Sequence, residues 1–278
     1  MAKPNSMYIG ALVLEALQNL LFELAGADRL AILLELKNGP LRISYLSKKL
    51  DFTVQETSRN VLRLVEAKLI SKDAEGCFHL TPYGEETIDL LEGFSFLSKY
   101  NDYFATHTLS NIPKEFSYSL ASLKGCQLVD DVMIAFSNVE NMIQKAYEYI
   151  WILSNQILVS TMPHLEEALK RGVEFRLLLP LNVTPPKKAV ERMCDSVNLK
   201  AIKEGRLQAR FLEKVDVLIC LSEKEVAALG FLSTEGKIDY HGFRAEDDLS
   251  FKWTKALFSH YWNLSISREP EFLFNKKL

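Results

Sequence analysis

Cysteine is scarce. The four residues Cys77, Cys126, Cys194 and Cys220 lie far apart and form no C-x-x-C pair. That spacing excludes the common structural zinc sites and suits thiols kept reduced in a cytoplasm as small buried hydrophobes. Long uncharged apolar runs are absent too. The leucine-rich stretch from Met7 to Ala27 is interrupted by Glu15, Gln18, Asn19 and Glu23 and has no basic segment ahead of it. Neither a membrane span nor a signal peptide fits it, and no membrane partner is expected. Charge of one sign is not in excess either: the formal net charge is −3 over 278 residues. This excludes a protein coated in basic surface but leaves room for a single basic face.

Catalytic signatures are missing as well. The sequence has no G-x-S-x-G, Walker A, G-x-G-x-x-G or H-E-x-x-H. The acidic pairs Asp130-Asp131 and Asp247-Asp248 read as solvated turns, and His107 as a packed or capping histidine. Trp151, Trp253 and Trp262 read as core residues. No metal, cofactor or enzymatic activity is expected.

What is present is a globular composition, 48% hydrophobic and 25% charged, in a chain long enough for two modest domains. Leu14, Leu17, Leu21 and Leu24 recur at helical spacing, with Glu15, Asn19 and Glu23 off that face, so residues 1–26 read as an amphipathic helix. Such a stripe needs a partner. Either its own domain or a second copy of the chain would satisfy it.

Residues 27–84 read as an α+β winged helix-turn-helix. Leu30, Leu33, Leu34 and Leu36 mark a first helix, stopped by Asn38-Gly39-Pro40. Ile43, Leu46 and Leu50 mark a second. Thr53 is the expected N-cap of a third, which runs to about Lys68 with Val61, Leu62, Val65 and Leu69 as its buried side. Two short strands, Ile70–Asp73 and Cys77–Leu80, flank the hairpin turn Ala74-Glu75-Gly76. Pro82 then opens a long helix, because proline fits a first helical turn. Residues 85–110 are expected to form a linker helix.

The third helix of such a module usually enters a DNA major groove. Its polar set includes Gln55, Glu56, Ser58, Arg59 and Arg63. Arginine pairs bidentately with guanine O6 and N7, and glutamine with adenine N6 and N7. Arg42, Lys48 and Lys49 would grip phosphates from the second helix, and Lys72 from the wing. Between Asp28 and Thr81 nine basic side chains face seven acidic ones, a net of only +2. Glu56 would repel phosphate unless it reads a cytosine amino group. A winged helix used for protein docking, without specific DNA binding, is the alternative.

Residues 111–278 read as an α/β domain, its sheet flanked by helices. Strands are expected at Leu128-Val129, Ile150–Leu153, Val173–Leu179, Leu207–Phe211, Val215–Leu221 and Ala228–Leu232, with the last three antiparallel. Helices are expected near Val139–Tyr149, Pro163–Arg171, Lys187–Gly205 and Phe251–Trp262.

Ser58-Arg59 followed by Leu62, Leu64, Glu66-Ala67 and Leu69-Ile70 resembles the recognition-helix pattern of ArsR/MarR-type prokaryotic winged helices, with Lys68 where that pattern usually has glycine. The stretch Asn101–Phe116 resembles the linker of archaeal regulators related to the methanogenesis regulatory protein of the Fil system. Further matches follow in order at Leu123–Val129, Arg171–Leu179 and Leu229–Leu232, then at Trp253, Leu257-Phe258 and Tyr261. The resemblance spans roughly residues 27 to 265. It implies an archaeal transcription regulator whose C-terminal part is similar to the phospholipase-D-like sensor half of TrmB-type regulators. Phospholipase D chemistry needs H-x-K-x-x-x-x-D, and none of His79, His107, His164, His241 and His260 has a lysine two residues later. A domain of that fold would therefore be inactive here, serving as a sensor or for dimerisation.

Sheets of this kind bind ligands beyond the carboxyl ends of their strands. Those ends are placed near Ser154-Asn155-Gln156, Pro180-Leu181-Asn182 and Ser222-Glu223, and Asp239-Tyr240-His241 follows a hairpin at Ser233–Lys237. Asn155, Asn182, Tyr240 and His241 are the candidate ligand residues, for a small-molecule effector whose existence the sequence leaves open. The expectation is a cytoplasmic homodimer on double-stranded DNA. Whether the N-terminal helix, the helix after the wing, or both make the dimer is left open.

Overall fold

The computed structural model describes residues 6–267. They fall into two compact units that meet at Glu92/Gly93, inside one helix.

In the first unit, α1 (Ser6–Leu24), α2 (Ala27–Leu36), α3 (Ile43–Leu50) and α4 (Val54–Glu66) precede the strands β1 (Ile70–Lys72) and β2 (Phe78–Leu80), and α5 (Pro82–Lys99) leaves the hairpin. β1 and β2 are antiparallel, and Leu41 bridges Phe78 through two backbone hydrogen bonds of 3.0 and 2.8 Å. The core is Ile32, Leu33 and Leu36 of α2, Leu46 of α3, Val61 and Leu64 of α4, then Leu69, Ile70, Phe78, Leu80 and Ile88. Each such side chain contributes about 1.5–3 kcal/mol by leaving water.

Two features of this unit depart from the sequence reading. The buried side of α4 is Thr57, Asn60, Val61 and Leu64, whereas Leu62 and Val65 are exposed. α4 therefore sits rotated from the expected register, with the small polar pair Thr57 and Asn60 buried: Thr57 Oγ1–H donates to Thr53 O at 2.9 Å. Asn60 donates to Asp28 at 3.3 Å. Among the α1 side chains described, those from Val13 onward, Leu24 in the last turn is the buried one, and Leu14, Leu17 and Leu21 are exposed.

In the second unit the chain continues through α6 (Asn101–Thr106), β3 (His107–Thr108), α7 (Lys114–Tyr118), β4 (Gln127–Val129), α8 (Val132–Lys145), β5 (Tyr149–Leu153), α9 (Met162–Lys170) and β6 (Glu174–Pro180). It ends with α10 (Lys187–Met193), α11 (Ser196–Lys203), β7 (Leu207–Leu212), β8 (Val217–Ser222), β9 (Val226–Ser233), β10 (Gly242–Ala245), α12 (Asp248–Leu264) and β11 (Ile266–Ser267). The sheet is large and mixed, in the order β11-β7-β6-β5-β8-β9-β10-β4, with β3 paired to β9. α8 and α9 cover the face that carries Ile152 and Leu177. α12 covers the other, where Trp151 stacks on Phe258 at 5.0 Å. Trp151, Trp253 and Trp262 are all buried, and Arg176 lies over both Trp151 and Trp262.

Several expectations need correction here. The linker helix of 85–110 is interrupted: α5 stops at Lys99, α6 at Thr106, and His107-Thr108 leaves helix to pair with Ser233 and Leu232. α8 begins at Val132 rather than near Val139, because Asp131 is an N-cap accepting from Met133 N–H at 2.7 Å and Ile134 N–H at 3.2 Å. Asp247 caps α12 in the same way, accepting from Ser250 N–H at 3.0 Å. Neither acidic pair is thus merely solvated. Lys187–Gly205 is two helices, the second restarted by the N-cap Asp195. Finally, β7 does not pair with β8 or β9. It runs parallel to β6, which is parallel to β5, while β8, β9 and β10 form the antiparallel run.

Candidate nucleic-acid interface and ligand cleft

α4 is held at its N-terminus by a reciprocal capping box. Glu56 N–H donates to Thr53 Oγ1 at 3.2 Å, and Thr53 N–H and Oγ1–H donate to Glu56 Oε2 at 3.1 and 2.7 Å. These bonds satisfy donors that a bare helix end leaves open. They also hold the Glu56 carboxyl below the usual carboxylate range, the Thr53 hydroxyl contributing most. Glu56 is therefore occupied in fixing the helix, and its carboxylate points back to the cap.

The outer face of α4 presents Gln55 and Arg59, both exposed, and the half-buried Ser58, with exposed Val54 and Leu62 beside them. Arg59 has no hydrogen-bond or ion-pair partner among the described residues, and neither has Lys48 on α3. The other candidate DNA-contacting cations are engaged. Arg63 grips Glu23 of α1 with both Nη2 (2.5 Å) and Nε (3.2 Å) and lies 5.1 Å from the Phe22 ring centre. Lys49 pairs with Glu35 at 2.5 Å. Arg42 donates to the Glu75 carbonyl at 3.1 Å, tying α3 to the hairpin turn, and Lys72 lies over Phe78 at 5.6 Å. The structure thus brings Gln55, Ser58 and Arg59 together on one exposed face and directs Arg63 toward α1. Lys68, at the expected glycine position, takes a left-handed φ of 61°.

In the second unit, an open cleft of about 520 Å³ lies beyond the ends of β5, β6 and β7. Asn155, Asn182 and Tyr240 line it together with Gln156, Glu213 and Lys214. Tyr240 Oη–H donates to Asn155 Oδ1 at 3.1 Å and accepts from the Gln156 amide. Burial pushes the Tyr240 hydroxyl up, against the opposing hydrogen bond from Gln156. His241 does not join this cleft. Tyr240 has φ 67°, and that left-handed turn sends His241 to a smaller hollow with Val129 and Gly242. Its backbone N–H donates to Asp239 Oδ1 at 3.1 Å. Asp239 is itself held by His107 Nε2 at 3.0 Å. His107 is buried and stacked on Tyr103 at 3.9 Å, so it packs and anchors this loop.

Ser222-Glu223 does not belong to the cleft either. β8 runs antiparallel to β5, pairing Ser222 with Ile150, so its carboxyl end lies beside the amino end of β5, at the opposite end of the strands. Glu223 there accepts from the N–H groups of Tyr147, Glu148 and Tyr149 at 3.1–3.3 Å. The position is taken by Glu213 and Lys214, which follow the parallel strand β7. The sequence signal that could have found them is the polar break after Leu212, once β7 is assigned to the parallel set. Among the described residues no group of three His, Cys, Asp or Glu could hold a metal ion. No described helix is long and apolar enough to cross a membrane.

No family model matches the chain, and no curated protein matches it. Among solved structures it is similar to TrmBL2, an archaeal chromatin protein whose structure shows a novel mode of DNA binding, at 15% identity and TM-score 0.41, over 87% of this chain and 94% of that one. Nuc of Salmonella typhimurium, a phospholipase D family member, aligns at 13% identity and TM-score 0.38, over 52% of this chain and 97% of that one. NucT of Helicobacter pylori aligns at 10% identity and TM-score 0.39, over 51% and 97%.

Proposed function

We propose that the chain is a sequence-specific DNA-binding transcription regulator in which residues 27–84 act as a winged helix-turn-helix, α4 in the major groove and the β1–β2 hairpin on the backbone. The observation that carries this reading is the outer face of α4. Arg59 is exposed and unpaired among the described residues, one turn from Gln55, on a helix whose other side is locked into a core and whose start is capped. Arg59 and Gln55 supply the bidentate chemistry that reads guanine and adenine, and exposed Val54 and Leu62 can meet a thymine methyl. Exposed Lys48 and Lys72 would meet phosphates. Arg42, Lys49 and Arg63 would do so only by giving up the partners that they hold here.

A homodimer completes the reading. Val13, Leu14, Leu17, Leu21 and Phe22 leave an apolar stripe exposed on α1, and Leu90 and Phe94 are exposed on α5. A two-fold partner covering α1 would set two α4 helices on half-sites about one DNA turn, roughly 34 Å, apart. The second unit serves as a non-catalytic sensor or dimerisation domain, with a small polar effector in the Asn155–Asn182–Tyr240 cleft, and the protein acts in the cytoplasm.

The test is binding to the DNA upstream of its own gene across a salt series, for wild type and Arg59→Ala. The expected result is affinity that falls steeply with salt through counterion release, and an Arg59→Ala loss of about 1–3 kcal/mol, roughly 5- to 150-fold. Weak, salt-insensitive association that is equal in the variant would refute it. That outcome would favour a protein-docking module, a reading supported by exposed Tyr45, Val54 and Leu62 and by the module's small net charge.

A further inference from the structure

Behind Tyr240 lies a cavity of about 60 Å³ between the sheet and the helices α8 and α9. Its floor is Ile152, Leu177, Cys220 and Ala228, neighbours across four strands: Ile152 pairs with Leu177 on one side and Cys220 on the other, and Cys220 with Ala228. Ala135 and Met162 stand in its roof. The space exists because short side chains, Ala135, Ala228 and Cys220, occupy positions where a leucine or valine would fill it. Close-packed interiors hold few voids larger than a water molecule. This one sits where β5 ends; its lining is mainly apolar, with Ser154, Gln156, Thr161 and Tyr240 as the hydroxyl- and amide-bearing residues. Tyr240 forms part of the wall, packed edge-on against Phe136 at 5.1 Å and tied through its hydroxyl to Asn155 and Gln156.

We infer that this cavity is a binding site for a small uncharged molecule with a branched aliphatic body and one oxygen, an alcohol or ketone of about four or five carbons. At about 60 Å³ the space exceeds the roughly 10–15 Å³ that a single water needs and leaves room for a small branched group. The oxygen would then lie within reach of donors and acceptors on Gln156, Ser154 and Tyr240. No charged side chain lines the cavity. A carboxylate there would be desolvated without a partner, which selects against acids. This inference is independent of the DNA reading and concerns a compartment distinct from the polar cleft, with which it shares Gln156 and Tyr240.

The experiment is a titration of the full chain, labelled with ¹³C-methyl methionine, with isobutanol and separately with isobutyrate. Met162 and Met193 line the cavity, whereas Met133 is exposed on α8. Isobutanol should shift the Met162 and Met193 methyls saturably and leave Met133 unmoved, and isobutyrate should bind about tenfold more weakly or worse. Ala135→Leu and Ala228→Leu, on a helix and a strand respectively, should each remove the saturable shift. Shifts that never saturate, equal binding of isobutyrate, or saturation that persists in a folded filled variant would each overturn the proposal. The isobutyrate comparison needs only the wild-type protein, so the proposal is decided even if both variants misfold.

Discussion

Lys68 should be more stable as glycine. It follows the α4 C-cap Ala67 with φ 61°, a conformation that costs an L-residue about 1–2 kcal/mol because Cβ crowds the following carbonyl. Glycine escapes that cost but gains freedom in the unfolded chain, which takes back about 0.4–1 kcal/mol. The lysine side chain offsets little: it is exposed and has no partner among the described residues. The turn is held by the backbone, which survives substitution. Lys68 N–H donates to Val65 O at 2.9 Å, and Thr81 Oγ1–H donates to Lys68 O at 2.7 Å. The net expectation for Lys68→Gly is about 0.5–1 kcal/mol of added stability, a rise of about 2–6 °C for a unit of this size. Lys68→Ala keeps the Cβ and should stay within about 0.5 kcal/mol of wild type. Thermal unfolding of the full chain followed by circular dichroism measures all three. A Gly variant no more stable than the Ala variant would refute the strain argument.

Thr53→Ala should cost about 1 kcal/mol by removing one half of the α4 capping box, read as a lower urea midpoint of the first unit's transition. The Glu56 carboxyl titrates lower in the folded protein than when unfolded. Its contribution is thus present in full above the unfolded pKa and is lost as pH falls through the folded one; Glu56→Gln should flatten that acid limb of the stability profile. Burial pushes the Cys220 thiol up to about 12 and the Cys126 thiol up to about 11, while Cys194 is exposed and Cys77 half-buried. Native protein treated with a thiol reagent should therefore react quickly at Cys194, more slowly at Cys77, and at Cys126 and Cys220 only once unfolded. Gly242→Ala should destabilise the second unit by about 1–3 kcal/mol, because its Cβ would meet Leu229 O at 2.4 Å and Gly230 Cα at 2.8 Å. Chemical denaturation checks this, and an unchanged midpoint would contradict the close approach of β9 and β10.

Much of the local structure could be read along the chain. Thr53 three residues before Glu56 announces a cap, Ala74-Glu75-Gly76 a hairpin, and the apolar runs around Ile150 and Leu177 buried strands. These signals rest on contacts a few residues apart. The buried side of α4 is not legible in this way, because Leu62 and Val65 look like core residues. Which face is buried depends on what packs against the helix, which no periodicity within α4 contains. The same holds for Ser222-Glu223. A run as uniformly buried as Val217–Ser222 has no alternation, so it states that a strand exists and says nothing of its direction.

Caps, turn residues and local apolar pattern, all short-range, determined most of the helices, strands and turns, and they made Gln55, Ser58 and Arg59 candidates for one surface. Only the tertiary structure decided that Arg63 faces Glu23 and that β7 joins the parallel set while β8 runs against it. It also decided that Tyr240 meets Asn155 while His241 turns away, and that short side chains from α8, β8 and β9 leave a cavity. The physical reason is that these outcomes depend on pairing and volume summed over segments as many as a hundred residues apart, where each local sequence is compatible with several partners and only the packed whole selects one.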